Sequence, residues 1–343
     1  MKSYKHTISA LLFFYAVKQG GHAGLSEEEL CAAVGVKQGQ LQDIGANKEW
    51  LPYEAYKKLL AEVVRKTGNE FFWLRYLEFP VISLDNPAYY YYYNAPNLRE
   101  ATSRHEKFYF IHSRTAYPSY LEIGDEFCIR ATVYGAEIEL SPYHVDLMLS
   151  AWWWITHYFT GPTLKLRCVR LANVTANRKA AYEQFFKAPV ITKHPFNELV
   201  FDREVLELPN FGRNIDPNLN TVLERIMQPL LADAIKDMSI RELVYEAMQR
   251  HLPKGTPKIE VIAKNLGLST RTLQRQLKET GISFSDLVQI TRSELAVQYL
   301  RNPGLNISEV AQLLGFQESS SFTSAFRKWY QTSPKEYRRQ RLS

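Results

Sequence analysis

Apolar positions in this chain change their spacing from one stretch to the next. Over residues 6–79 they recur at helical intervals. Tyr53, Tyr56, Leu59, Leu60, Val63 and Val64 share one face after Pro52 and stop near Gly68, which predicts a helix. Ser26 and Glu29 have capping-box spacing for a short helix reaching Val34. Residues 30–41 loosely imitate a helix-turn-helix, but spacing and charge are poor, so the segment reads as structural. From about 105 to 210 the pattern is mixed. Residues 107–112, 119–123 and 127–134 are rich in aromatic and branched side chains and are bounded by Pro118, Gly124 and Gly135, which predicts antiparallel strands. Pro142 opens a long helix through Tyr158, stopped by Gly161-Pro162. Residues 165–171 read as a strand, 178–187 as a helix and 199–201 as a short strand, giving an α+β domain. Residues 216–251 turn helical again, with Leu219, Leu223 and Ile226 facing one way and Pro229 expected to kink or break the helix. Ser239 and Glu242 make a second capping box, where the last domain begins.

That last domain carries an internal repeat. Ala263, Leu266, Gly267, Leu268 and Ser269, followed by Leu273 and Leu277, are answered by Ala311, Leu314, Gly315 and Phe316, followed by Phe322 and Phe326. Residues 282–287 are echoed by 332–337, and the offset drifts only from about 48 to 50 residues, too steady for coincidence. Each copy holds the parts of a helix-turn-helix. Alanine lets two helices approach, glycine supplies a left-handed turn, and apolar residues four apart hold the second helix with its other face outward.

On these residues the last hundred positions resemble the DNA-binding domain of the AraC/XylS family of bacterial transcription regulators. The resemblance implies an all-α domain with two helix-turn-helix units, at about 257–280 and 306–330, joined by one long helix at 284–300. Arg292, Ala296 and Leu300 stand where the family has Arg, Ala and Leu, and the stretch from Gly315 through Phe322, Phe326, Pro334 and Tyr337 to Arg338 is its most specific signature. A weaker likeness covers roughly 20–210. Ala180, Phe185-Phe186 and residues 195–202 are similar to the effector domain of the ornithine-type branch, labelled arabinose-binding by analogy and distinct from a cupin barrel. The implied organisation is an effector-binding and dimerising domain at 1–210, a helical linker at 211–237 and a DNA-binding domain at 238–343.

Charge sharpens this picture. Residues 254–343 hold 14 Lys+Arg against 7 Asp+Glu, whereas the first 253 hold 28 against 29. The positive balance lies where the repeat lies, as phosphate neutralisation requires. Aromatic content of 13% and hydrophobic content of 45% favour packed cores. Cys31, Cys128 and Cys168 form no CxxC, which suits a reducing cytoplasm. Lys2 and Lys5 before the apolar run 8–17 imitate a signal peptide, but no small-x-small cleavage site follows, so an amphipathic helix is expected. No membrane association is expected, for no stretch approaches the ~20 apolar residues of a spanning helix.

Candidate contacts follow from which side chains face outward. With Leu273 and Leu277 inward and Ser269 as cap, Arg271, Gln274 and Arg275 present bidentate partners for guanine and adenine edges. In the second unit Ser320, Ser321 and Ser324 take the base-facing places, and serine discriminates poorly; relatives often have arginine at the position of Ser324. Thr270, Lys278, Thr323, Arg327, Lys328 and Arg338 are candidates for the DNA backbone. In the first domain, five tyrosines at 89–93 and three tryptophans at 152–154 exceed what one core-facing stripe can hide, so some should wall a pocket or a subunit interface; Arg114, His112 and His157 are candidate polar groups beside them. No effector contact is assigned. The eight histidines lack metal-ligand spacing, and no phosphate loop or nucleophile elbow is present.

The reading is therefore a non-enzymatic regulator. It would bind double-stranded DNA and a small-molecule effector, act as a homodimer, engage RNA polymerase if an activator, and need no cofactor. Two rivals remain: an enzyme recruited to DNA, for which only Cys168 has a basic neighbour, Arg167, and a haem or thiol-based sensor.

Overall fold

A computed structural model describes residues 6–37, 50–75, 87–133, 139–172, 174–212, 215–236, 238–302 and 304–342, which fall into two compact units dividing at Ala234 and Ile235. The first unit is α+β and the second is helical.

The first unit opens with β1 (Thr7–Ser9), α1 (Ala10–His22), α2 (Glu27–Ala33), β2 (Trp50–Pro52) and α3 (Tyr53–Thr67). β1 and β2 pair antiparallel, and Ile8, Phe13, Val17, Leu30, Tyr56, Leu60 and Trp73 form a core under them. Gly68 ends α3 at φ +65°, its amide on the Val64 carbonyl at 3.0 Å. Ser26 caps α2 through the Glu29 amide, but the Glu29 carboxylate pairs with Lys66 at 2.6 Å instead of completing a box.

Next come α4 (Pro87–Tyr93), α5 (Leu98–Phe108), β3 (Ala116–Ile123), β4 (Glu126–Val133), α6 (Pro142–Thr160), β5 (Cys168–Arg170), α7 (Ala176–Phe186), β6 (Val190–Ile191) and β7 (Glu198–Asp202). The strands order as β3-β4-β7-β5-β6, with β5 and β6 parallel and the other pairs antiparallel. Strand alternation sends Phe127, Ile129, Val169, Leu199 and Phe201 into one core with Leu149, Trp152 and Phe159 of α6 and Tyr182 and Phe186 of α7. Cys128, Cys168 and Val200 cluster with Leu121 elsewhere. Near them Arg130 meets Glu198 at 2.5 Å, and Arg170 meets Glu126 at 2.7 Å. Burial alone would raise the Glu198 carboxyl; the facing Arg130 guanidinium, with His194 and Arg170, holds it below its ordinary range.

Four expectations need correction. Residues 107–112 are not a strand: they finish α5 and turn through a 3₁₀ segment at Tyr109–Ile111, because their aromatics pack inward from a helix end. Pro118 does not bound a strand but sits inside β3, tolerated because β3 is the sheet edge and needs a donor on one side only. Of the kink or break expected at Pro229 the break is absent: α8 (Pro217–Ile235) runs through it, and Pro229 is exposed, as is Arg225, whose carbonyl loses its helical donor. On α8, Leu223 is buried beside Met227, whereas Leu219 and Ile226 are 38% and 46% exposed.

The aromatic runs divide between core and surface. Tyr91, Tyr92 and Tyr93 are buried and Tyr89 and Tyr90 half-buried. Trp152 is buried, Trp153 packs on Phe186 and Phe201, and Trp154 stacks on Tyr158 at 5.0 Å.

The second unit contains α9 (Ile240–His251), α10 (Ile259–Asn265), α11 (Thr270–Glu279), α12 (Phe284–Leu300), α13 (Ile307–Leu313), α14 (Ser319–Tyr330) and α15 (Pro334–Leu342). Reciprocal capping boxes start four of these helices: Ser239 with Glu242, Ser283 with Asp286, Asn306 with Glu309, and Ser333 with Glu336. Such caps satisfy helix amides that would otherwise lack partners.

Candidate nucleic-acid interface

The two repeats become α10–α11 and α13–α14. In the first, Ile262, Ala263, Leu273 and Leu277 are all but fully buried with Val244 and Met248 of α9 and Leu287 and Val288 of α12. Ala263 is 1% exposed where α10 meets α11, so a larger side chain there would force the helices apart. Gly267 and Gly315 make the turns at φ +68° and +72°. Gly315 has a second duty. A Cβ there would lie 2.9 Å from the Leu252 carbonyl oxygen and 3.1 Å from the Thr256 amide nitrogen.

Ser269 caps α11 by accepting the Thr272 amide at 3.1 Å. With Leu273 and Leu277 at 0% and 1% exposure, helical spacing turns Arg271, Gln274, Arg275 and Lys278 outward, and all four are exposed. Thr270 is half-buried. Arg275 stands 3.9 Å from Glu279, both side chains open to water, too weak a pair to hold the guanidinium from another partner.

On α14 the inward residues are Phe322 and Phe326, each fully buried, and Phe326 packs edge-on against Tyr337 of α15. Ser320, Ser321, Ser324, Arg327 and Lys328 are exposed. Thr323 is half-buried and donates its hydroxyl to the Ser319 carbonyl at 2.9 Å. Glu318, at the N-cap of α14, makes no side-chain cap bond, unlike Ser269 on α11.

Two arginines of this unit are built into its frame. Arg338 is half-buried, its Nε donating to the Leu300 carbonyl at 3.0 Å, and burial lowers its pKa. Arg292 of α12 is 7% exposed. Its Nε donates to Leu314 O at 2.8 Å, and its Nη2 to Thr256 Oγ1 at 2.5 Å and Gly315 O at 3.0 Å. A cation placed on the apolar stripe between Val288 and Ala296 was the sequence signal for such an anchor.

Outward-facing arginine, glutamine and lysine on a helix whose other face is locked into a core is the chemistry needed to probe a groove of double-helical DNA. Among the described residues, no group of His, Cys, Asp or Glu is placed to hold a metal ion, and no helix is long and apolar enough to cross a membrane.

Comparison with known proteins agrees with this architecture. Residues 262–340 match a helix-turn-helix domain family, and residues 24–210 match the N-terminal arabinose-binding domain of AraC transcription regulators. The chain belongs to the AraC family of transcription regulators. It is 28% identical over 178 residues to the HTH-type transcriptional regulator VirS of Mycobacterium tuberculosis, covering 52% of this chain and 51% of that protein. It is 32% identical over 160 residues to the ornithine utilization regulator of Pseudomonas aeruginosa, covering 46% and 45%. The matched segments thus span about half the length of these curated relatives. Among solved structures, the transcriptional regulator CdpR of Pseudomonas aeruginosa aligns over 91% of this chain and 96% of its own, at 21% identity and a TM-score of 0.43.

Proposed function

We propose that this chain is a sequence-specific DNA-binding transcription regulator whose first domain, at about 1–210, receives a small-molecule effector, with a linker at 211–237. The observation that carries the reading is the face of α11: Arg271, Gln274, Arg275 and Lys278 exposed opposite the buried Leu273 and Leu277. Arg271, Gln274 and Arg275 read base edges, and Thr270 and Lys278 hold phosphates. α14 offers Ser320, Ser321 and Ser324 to bases and Thr323, Arg327 and Lys328 to the backbone, a softer readout because hydroxyls suit several bases. Arg338 contributes positive charge near the backbone while anchoring α15. The protein pairs with a second copy, and the recognition helices α11 and α14 of one chain occupy successive major-groove segments about one helical turn apart. An effector shifts the population of DNA-competent arrangements only by binding them with different affinity.

No catalytic step belongs to this reading. All three thiols are buried, and burial pushes Cys128 up to about 12, far from an activated nucleophile. The test is selection of the full chain against a randomised duplex library, followed by binding measured across salt. A shared sequence motif is expected among the selected duplexes, with affinity falling steeply as salt rises. Absence of DNA binding at low salt would overturn the proposal.

A further inference from the structure

α8 carries more apolar surface than its own unit covers. Leu223, Met227 and Ala234 pack inward with Ala88, Tyr91, Phe108 and Ile111. Leu219, Val222 and Ile226 form a second stripe beside them and are 38%, 50% and 46% exposed. Their spacing of three and then four residues is that of a seam between two helices, and Pro229 extends it by three more.

This stripe has neighbours of the same character. Asn94 donates to the Asp216 carbonyl at 2.6 Å and to Asn220 Oδ1 at 2.7 Å, tying the start of α8 to the end of α4. Tyr93, the residue before Asn94, meets Tyr158 of α6 edge-on at 5.2 Å. Tyr158 is 44% exposed, and Phe211 is 57% exposed. Phe211 is nevertheless firmly seated. Its amide donates to the Phe159 carbonyl at 2.8 Å, and its ring lies on Gly161, where a Cβ would come within 2.6 Å of it. These five side chains are most of the eight large apolar ones exposed among the described residues, so the exposure is concentrated and not scattered.

We propose that this surface receives a second copy of the chain, α8 against α8, about a two-fold axis near Val222. The assignment rests on the reading of the protein as a pair and names the surface that makes it. Charge favours a self-contact. The row flanking the stripe on its water side is Asn218, Arg225 and Ala232, and Lys107 of α5 holds Glu224 at 2.8 Å on the other side of the helix. Two copies therefore meet with no carboxylate on the flanking row and one arginine each at the rim, whereas a nucleic acid would find a single cation. A two-fold contact also requires a patch that complements itself, as an apolar stripe does. Size explains the aromatic neighbours. At 19 residues α8 is about 28 Å long, and a strip about 10 Å wide offers roughly 300 Å² per copy, against about 800 Å² per partner in a stable interface. Tyr158 and Phe211 enlarge the patch toward that size.

The experiment is sedimentation of the full chain without DNA at micromolar concentration. Wild type should run at twice the mass of one chain. Val222→Glu and Val222→Lys should each run at the mass of one chain, because a two-fold axis near this position sets like charges against each other. An equal mixture of the two variants should recover the doubled mass as each glutamate meets a lysine, a rescue that misfolding cannot produce. Val222 is exposed, so helical circular dichroism of both variants should match wild type. Doubled mass in either variant alone, or single mass in the mixture, overturns the proposed surface while a paired wild type leaves the pairing itself standing. Wild type at single mass throughout would give the face to another partner and overturn both the surface and the pairing on which it rests.

Discussion

Arg292 donates its Nε hydrogen to the carbonyl of Leu314 at 2.8 Å, joining the middle of the connecting helix to the turn of the second repeat. The same guanidinium lies 4.2 Å from the Phe316 ring and reaches Gly315 and Thr256. One side chain thus fixes how α13–α14 sits on α12, with carbonyls that a turn would otherwise leave to water.

Arg292→Ala should therefore destabilise the second unit by about 2–3 kcal/mol, the range for losing hydrogen bonds to a buried charged group. Arg292→Lys should recover only part, because an ammonium cannot reproduce the planar fork. Urea unfolding followed by helical circular dichroism checks both. Wild-type stability in the lysine variant would mean that charge matters and the fork does not.

Much of this arrangement was legible beforehand. The connecting helix was expected at 284–300 and is found at Phe284–Leu300, because Leu287, Leu295, Ala296 and Leu300 give an apolar stripe along it. Gly267 and Gly315 marked both turns, since few residues accept their φ. Residues 107–112 misled because Phe108, Tyr109, Phe110 and Ile111 have strand-like composition whichever element carries them. Arg338 showed only its charge; that its Nε would bond the Leu300 carbonyl depends on a fold contact 38 residues away. The sequence drew notice to Tyr89, Tyr92 and His112, but their meeting with His105 and Tyr120 through ring contacts and a hydrogen bond between α4, α5 and β3 was hidden, since it depends on the fold.

The two turn glycines should respond differently to alanine. Both hold a left-handed backbone, which costs an L residue roughly 1–2 kcal/mol. Nothing lies within 4 Å of a Cβ at Gly267, so Gly267→Ala should lose about that much and still fold. Gly315→Ala adds clashes with the backbone of Leu252, Gly255 and Thr256 and should lose several times more. Equal unfolding midpoints for the two variants would contradict the close approach.

On DNA, Arg271→Ala and Gln274→Ala should cost about 1–3 kcal/mol on the selected site and far less on random duplex. Lys328→Ala, exposed and unaimed at base edges, should weaken both alike and reduce the salt slope by about one. Parallel titrations on specific and random duplexes separate the two kinds of loss. Equal losses for Arg271→Ala on both duplexes would move that residue to the backbone. Arg338→Ala should also weaken every duplex and, unlike Lys328→Ala, lower the unfolding midpoint, because its Nε bond to Leu300 goes with its charge.

Ser324→Arg should tighten DNA binding. Ser324 is exposed on α14 between the buried Phe322 and Phe326, and arginine there adds both charge and a bidentate fork. Binding to a randomised library is the measure. No change on any sequence would mean that this face stays away from DNA.

Acid should loosen the first unit before its carboxylates titrate. His105, His112 and His144 are buried and neutral, with burial lowering them from 6.5 to about 3, 4 and 3. Their depressed folded-state values make the stabilisation complete above pH 6.5. As pH falls from there, the unfolded chain binds protons that the folded chain refuses, and stability is lost progressively toward the folded values. Each histidine contributes a slope of about 1.4 kcal/mol per pH unit in that window. Glu198, held low by Arg130, begins to matter only below its ordinary 4.5, so the interval from pH 6.5 to 4.5 belongs to the histidines. Urea midpoints of the full chain, followed by tryptophan fluorescence at several pH values, should drop steeply across that interval. His144→Gln, which keeps an acceptor for the Tyr53 hydroxyl, should flatten the slope by about one histidine's share. A midpoint that is level between pH 6.5 and 4.5 would mean that these imidazoles take up protons in the folded protein, and that their surroundings admit water.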